Sequence, residues 1–342
     1  MPTSGADAPN RHCLPPLLPG SGLQAQVLPI LPWPWNPLAQ RHEAFGGLDL
    51  LRALRVLFTQ RSVALVCAHF ESAVVILLLR RWLRFRPPVV IWEVPWSPGW
   101  RYREWLCRLV LPKADFSVVY SSNQIELVRQ TYGARTAVAF VPFCVDLDFF
   151  QPQPGATAKA RHILSTGLDA GRDFDVVLRA TQGLDVSLCL KTHARAISAD
   201  RQGEVTLLTG HLSHTDFRRL YEEAAIVVVA TGDTPNACGV TSLMEALAMG
   251  KPTVVSDNPA LRDYLPPPGA GIVVPVGDDA ALRRALTHLL NHPDEAQEMG
   301  RRARVHAEQH FNPQDHARAA AALFQSILAG QHDQDASATS GY

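Results

Sequence analysis

The chain is short of several things. Lysine is scarce: only Lys113, Lys159, Lys191 and Lys251 occur, and arginine carries nearly all of the positive charge. Neither sign is in excess, because Lys+Arg and Asp+Glu both number 32 and the formal net charge is +0 at pH 7. A neutral chain has no overall field that favours DNA or RNA, so nucleic acid is not an expected partner. No Cys-x-x-Cys pair exists. Cys13, Cys67, Cys107, Cys144, Cys189 and Cys238 are scattered, several in apolar runs, and read as reduced core residues suited to a reducing cytoplasm. Long apolar runs are missing too: "AVVILLL" falls far below the ~20 residues that span a bilayer. The first twenty residues lack the charged-then-apolar order of a secretory signal. The expectation is a cytoplasmic protein that touches a membrane surface at most. No Walker loop or Ser-His-Asp signature appears. His211 and His214 in "HLSH" have the spacing of a helix-borne metal pair, but further ligands are not nearby in sequence, and no metal is expected.

What is present is alternation. With 342 residues the chain suits two domains of about 150 residues each. After a proline- and glycine-rich start with one candidate strand, "AQVLPIL", apolar strands and helical segments follow one another. "SVALVCAHF", "PPVVIWEV", "DFSVVYSS" and "TAVAFVPF" read as strands of a parallel sheet covered by helices on both faces. The pattern breaks at "DLDFFQPQPGATAKA" and then resumes through "RHILSTG", "DVSLCLKTH", "EVTLLTG", "AAIVVVATG", "KPTVVSD" and "AGIVVPVG". The expected division is residues 1–150, residues 151–312, a last helix over 313–330 and a disordered tail over 331–342. The last helix has an apolar face of Ala319, Ala322, Leu323, Ser326 and Ile327, expected to lie on the first domain. In doubly wound sheets ligands bind outside the carboxyl ends of the strands.

The stretch "NACGVTSLMEALAMGKPTVVSDN", residues 236–258, carries the chemistry. A helix starts at about Val240, and Gly239 ahead of it lets a ligand approach the backbone. The N–H groups at this start, around Gly239, Val240 and Thr241, attract phosphate. Glu245, in the second turn, can accept from the vicinal hydroxyls of a ribose. Glycine plus glutamate is thus a nucleotide-diphosphate clamp, or else an ordinary helix with a partly exposed glutamate.

This stretch resembles the nucleotide-sugar motif of the retaining family 4 glycosyltransferases of GT-B fold. "MEALAMGKPTVVSDN" is similar to the second half of that motif, and Glu245 matches the glutamate that holds the donor ribose. Ala237 stands where the motif's first glutamate falls. "TDFRRLYEEAAIVVVAT", "AGIVVPVGDDAALRRALTHLL" and the junction "FVPFCVDLDFFQP" extend the resemblance. It implies two Rossmann-like doubly wound domains facing across a cleft. The N-terminal domain would bind an acceptor and the C-terminal one a nucleoside-diphosphate sugar as co-substrate, without a cofactor. The Asp-x-Asp of "DLD", a metal site in another glycosyltransferase fold, falls on the ordinary junction here.

The resemblance also implies site residues. In "STGLDAGRDFDVVLRA", Gly167 opens the phosphate loop, Leu168 replaces the family's first cation, and Arg172 stands in for the second; a surface arginine paired with Asp169 or Asp173 is the plain alternative. Lys191 ends an apolar strand and is a second diphosphate candidate. Glu93 occupies the place of a family histidine that faces the reacting sugar, where a carboxylate can take the acceptor's proton. His69 at a strand end and Trp96, a face for sugar stacking, are acceptor-side candidates, with structural histidine and core-packing aromatic as the plainer readings. "RRWLRFR" and "RYREWLCR" read as a patch for lipid head groups or a lipid-linked acceptor, or as solvated helix faces. Glycan, lipid-linked or small-molecule acceptors all fit. Two rivals remain: a non-catalytic relative that binds sugar nucleotides, suggested by Ala237 and Leu168, and a sugar-nucleotide epimerase.

Overall fold

The computed structural model describes residues 22–26, 50–94, 101–133, 137–153, 159, 161–197 and 205–330. Trp96, most of the candidate strand in "AQVLPIL" and the tail 331–342 lie outside them. The chain divides into two compact units. Among the described residues, unit 1 takes those up to Val141 and again from Ala317, and unit 2 takes Pro142–His316. The break therefore falls at Val141–Pro142, ahead of the proline-rich stretch expected to hold it.

Unit 1 is built from α1 (Leu50–Thr59), β1 (Val66–His69), α2 (Phe70–Leu79), β2 (Val89–Trp92), α3 (Arg101–Val110), β3 (Phe116–Val119), α4 (Asn123–Tyr132) and β4 (Val138–Phe140). The four strands pair in the order β1-β2-β3-β4, all parallel. Successive side chains of a strand point to opposite faces. Val89, Ile91, Val119 and Val138 accordingly pack under the helical layer with Leu57, Ile76 and Leu106, while Val90, Trp92 and Val118 face the other way. β1 is shorter than its apolar run, since Ser62–Leu65 stay outside the ladder.

That second face is covered by the last helix, α10 in chain order (Pro313–Leu328). Its buried apolar residues are Ala317, Ala320, Ala321, Phe324 and Ile327, and His316 is buried as well. The stripe is rotated from the expected one: Ala322 is exposed, Leu323 is only partly buried, and Phe324 supplies the large side chain. The Phe324 ring lies 5.9 Å from that of Trp92. An aromatic ring facing Trp92 across the sheet surface buries more than a leucine there would, so the helix turns toward it.

Unit 2 contains β5 (His162–Thr166), α5 (Phe174–Thr181), β6 (Ser187–Lys191), β7 (Thr206–Leu208), α6 (His214–Glu223), β8 (Ile226–Val229), α7 (Val240–Ala248), β9 (Thr253–Ser256), β10 (Ile272–Val274), α8 (Asp279–Asn291) and α9 (Pro293–His310). Asp173, Ser213 and Asp278 start α5, α6 and α8 by accepting an N–H of the first turn. The segment "ALRDYL" forms a 3-10 turn over Pro259–Tyr264. The six parallel strands run β10-β9-β8-β5-β6-β7. From β5 the chain winds to one side through β6 and β7, then crosses to β8 on the other. The order reverses between β5 and β8, which is where such sheets bind ligands. Arg304 of α9 ties the start of this unit down, donating to the carbonyls of Leu147, Phe150 and Ala248. Among the described residues no helix is long and apolar enough to cross a membrane.

The rotated stripe sets an expected outcome. Phe324→Ala should cost about 3–5 kcal/mol in denaturant unfolding, as for a buried aromatic. Leu323→Ala should cost clearly less. The reverse ranking would show that the helix packs through the other stripe.

Candidate active site

At the switch point two loops leave the carboxyl edge of unit 2. One follows β5 and runs from Gly167 to Asp173, where α5 begins; the other follows β8 and runs to Gly239, where α7 begins. An isolated bridge, Arg172 with Thr231, joins them. Gly171 accepts from the Gly232 N–H at 2.9 Å, and Asn258, itself fully buried, donates to the Gly232 carbonyl at 2.7 Å. Three strand ends, β5, β8 and β9, are thus held together through backbone groups.

The Arg172 side chain fills the space between the loops. Only 9% of the residue is exposed. Its Nη2 reaches Ser165 Oγ at 3.4 Å, and its guanidinium lies 5.7 Å from the Phe174 ring centre. Its Nε and Nη1 are buried without a hydrogen-bond partner among the described residues. Two glycines make room for it. A Cβ on Gly239 would lie 2.4 Å from Nη1, and one on Gly167 2.8 Å from Nε. Gly239 also has φ +81°, the left-handed conformation that glycine adopts without steric cost. Gly239 is the N-cap of α7, the positive end of that helix. A cation therefore sits buried against a positive helix end with two N–H donors unanswered. Burial disfavours its charge, and Asp169 offsets part of that. An isolated buried charge costs several kcal/mol. The arrangement has the electrostatics of an anion site: an arginine guanidinium lodged beside the positive end of a helix.

Glu245 lies one turn further along α7 and is partly buried. Its carboxylate accepts from Tyr221 Oη at 2.8 Å. Tyr221 is fully buried on α6. Its Oη lies 3.1 Å from Thr166 Oγ1, which donates to Ser242 Oγ at 3.0 Å, and Ser242 Oγ donates to the Thr166 carbonyl at 3.2 Å. Burial, with the Glu245 charge beside it, raises the Tyr221 phenol well above its usual range, so it stays protonated and donates. The end of β5, the middle of α6 and the first turns of α7 are locked by this chain of hydroxyls. Tyr221, Thr166 and Ser242 were given no site role from the sequence, where the Leu-Tyr of "TDFRRLYEEAAIVVVAT" and the hydroxyls ending the apolar strand "HILST" were the available signals.

The other candidates are placed as follows. Val240 is buried and Thr241 exposed in the first turn of α7. Lys191 is 7% exposed at the end of β6, and its Nζ donates to the Gly210 carbonyl at 2.7 Å, toward the loop after β7. Its own carbonyl accepts the Gly167 N–H at 3.0 Å. His69 and Glu93 belong to unit 1. His69 pairs in register with the buried Trp92, so the exposed His69 and Glu93 lie at neighbouring strand ends. Glu93 has φ +72°, a strained conformation for a residue with a side chain. Among the described residues no group of three metal-ligating side chains is found.

Comparison with known proteins shows what the chain is similar to. Residues 191–306 match the family described as "Glycosyl transferases group 1". The match covers less than half of the chain. It includes Lys191, Tyr221, Gly239 and Glu245. The D-rhamnosyltransferase WbpZ of Pseudomonas aeruginosa is 31% identical over 154 residues, 45% of this chain and 38% of that protein. The matched part is thus well under two thirds of that relative. Sucrose-phosphate synthase from Thermosynechococcus elongatus superimposes with a TM-score of 0.67 at 19% identity, over 90% of this chain and 83% of that one. Anabaena HepE, solved with UDP and glucose, gives a TM-score of 0.65 at 15% identity, over 91% and 88%. The two parallel-sheet units have the GT-B fold.

Removing the buried cation should stabilise the empty protein. Arg172→Met is expected to raise unfolding free energy by about 1–4 kcal/mol, as when buried charges are replaced by apolar residues of similar volume. A lowered denaturation midpoint would mean that the guanidinium is well compensated as it stands.

Proposed function

We propose that the chain transfers a sugar from a nucleoside-diphosphate sugar to an acceptor hydroxyl, with retention at the sugar carbon. The observation that carries this reading is the orphaned Arg172 guanidinium against the N-terminus of α7. A departing diphosphate gains negative charge as the glycosidic bond to phosphate breaks. A fixed cation and helix N–H groups stabilise that charge most when it is fully developed, which is what lowers a barrier. Because these groups supply the positive charge, the proposal needs no metal and no cofactor.

Glu245 would accept from the ribose hydroxyls, with Tyr221 fixing one of its oxygens. Gly167, Gly239, Val240 and Thr241 would let the phosphates approach the backbone, and Lys191 would hold the loop after β7 in place. Retention would have the acceptor oxygen attack on the face from which the diphosphate leaves, with a diphosphate oxygen taking the acceptor's proton. Glu93 and His69 on unit 1 would hydrogen-bond the acceptor, with Trp96 as a stacking face. A glycan, a lipid-linked sugar or a small molecule each offers such a hydroxyl. The rhamnosyltransferase relative and the UDP and UDP-glucose complexes of HepE support a nucleotide sugar as donor.

A second reading keeps the donor and drops the transfer. It is favoured by Ala237, which cannot hydrogen-bond a sugar hydroxyl, and by Leu168, which is exposed where a cation was expected. Incubation with a panel of nucleoside-diphosphate sugars separates the readings. Release of nucleoside diphosphate with glycosylated acceptor supports transfer. Binding without turnover supports the non-catalytic reading, and a changed sugar without acceptor supports an epimerase.

Calorimetry tests the roles. Wild type should bind nucleoside diphosphate more tightly than monophosphate by roughly 10- to 100-fold, the equivalent of the ~1.5–3 kcal/mol of a charged hydrogen bond. Arg172→Met should erase that preference. Tyr221→Phe should weaken the nucleoside diphosphate while leaving its 2′,3′-dideoxy form unaffected, because the ribose hydroxyls are then absent. Equal losses for both forms would remove Glu245 from the ribose.

A further inference from the structure

The zero net charge conceals a strong asymmetry. Residues 50–141 hold thirteen basic residues against five acidic ones, a formal charge of +8, which the rest of the chain cancels. In unit 1 this charge concentrates at one edge. α1, α2 and α3 each end where the next strand begins, so their last residues and the turns after them share the amino edge of the sheet, opposite to the strand ends that carry His69 and Glu93. Trp82, in the turn after α2, is 88% exposed, and Leu78 and Phe58 at the same edge are 38% and 58% exposed. Arg81, Arg84 and Arg86 around it are exposed and make no ion pair among the described residues. Arg80 differs, being neutralised by Asp115. A cavity of about 510 Å³ opens between this turn and the connection from α3 to β3; Leu78, Arg81, Trp82 and Lys113 line it, and the Arg80–Asp115 ion pair forms part of its wall.

Exposed indole surface is unfavourable in water, and an indole ringed by solvated guanidinium groups suits one surroundings well. Tryptophan is enriched at membrane interfaces, where its ring lies at head-group level, and arginine adds attraction to anionic lipid. We propose that the amino edge of unit 1 docks on an anionic phospholipid bilayer. Trp82 and Leu78 enter the head-group layer, Arg81, Arg84 and Arg86 meet lipid phosphates, and the cavity takes one head group beside Lys113. The strand carboxyl ends of unit 1 then point away from the bilayer. The basic charge is complementary to anionic lipid, while the exposed apolar tip distinguishes the face from one that only attracts anions.

Sedimentation of the full chain with phosphatidylcholine vesicles, with and without phosphatidylglycerol, tests this. Binding should require the anionic lipid and fall with added salt. Trp82→Ser should weaken partitioning roughly tenfold, and each of Arg81→Gln, Arg84→Gln and Arg86→Gln about fivefold. Arg101→Gln, at the opposite edge, should have a smaller effect. All these side chains are exposed, and unchanged melting of each variant would confirm folding. Their affinity for nucleoside diphosphate should equal that of wild type, so the result stands apart from the donor site. Equal binding to neutral vesicles, no binding to either, or variants that bind like wild type would overturn the proposal. Self-association at low salt that the same variants abolish, without vesicle binding, would assign the face to a second copy of the chain.

Discussion

Unit 2 depends on one contact, the Arg172 guanidinium lodged against Gly239 at the start of α7. It decides where two loops can run and which positions must be glycine. It also sets a positive charge where a helix is already positive. Folding alone would not select that placement, because two like potentials oppose each other with little solvent between them. The neighbouring structure is rigid enough to hold it. Thr231 bridges to Arg172, Asn258 fastens the loop behind, and Tyr221 braces α7 against β5. Local instability held by a stiff frame is a common property of sites that await a ligand of opposite charge.

The hydroxyl chain from Tyr221 to Thr166 answers why a carboxylate stands in an apolar helix. Ser242, Leu243, Met244, Ala246 and Leu247 around Glu245 are buried. One carboxylate oxygen is satisfied from inside the protein, by a phenol that burial keeps protonated. The side chain is therefore oriented before any ligand arrives, and less freedom is lost on binding.

Much of the fold was legible in the sequence, because parallel strands covered on both faces must be apolar almost throughout. "IVVV" and "HILST" could hardly be anything else, and capping residues Asp173, Ser213 and Asp278 marked the helices after their loops. The stretch around Gly239 stood out for the same reason, a glycine and a lone acid in an otherwise buried helix. What escaped notice needed distant partners. Phe324 rather than Leu323 faces the sheet because Trp92 lies opposite, more than two hundred positions away in the chain. Tyr221 gains its meaning from Thr166 and Glu245, on two other elements. The charge asymmetry was hidden by summation, since a total of zero says nothing about where the charges lie.

The course of the chain has a consequence for how the protein can be taken apart. Among the described residues unit 2 is one continuous piece, whereas unit 1 is assembled from both sides of it. The two crossing points are neighbours: His316 Nδ1 lies 2.6 Å from the Pro142 carbonyl. In topological terms unit 2 is a cassette inserted between β4 and the body of α10. Its ends meet, which is the geometry that insertion or permutation of residues 142–316 as a block requires. No single cut yields unit 1, because any truncation that keeps its sheet discards the helix that covers it.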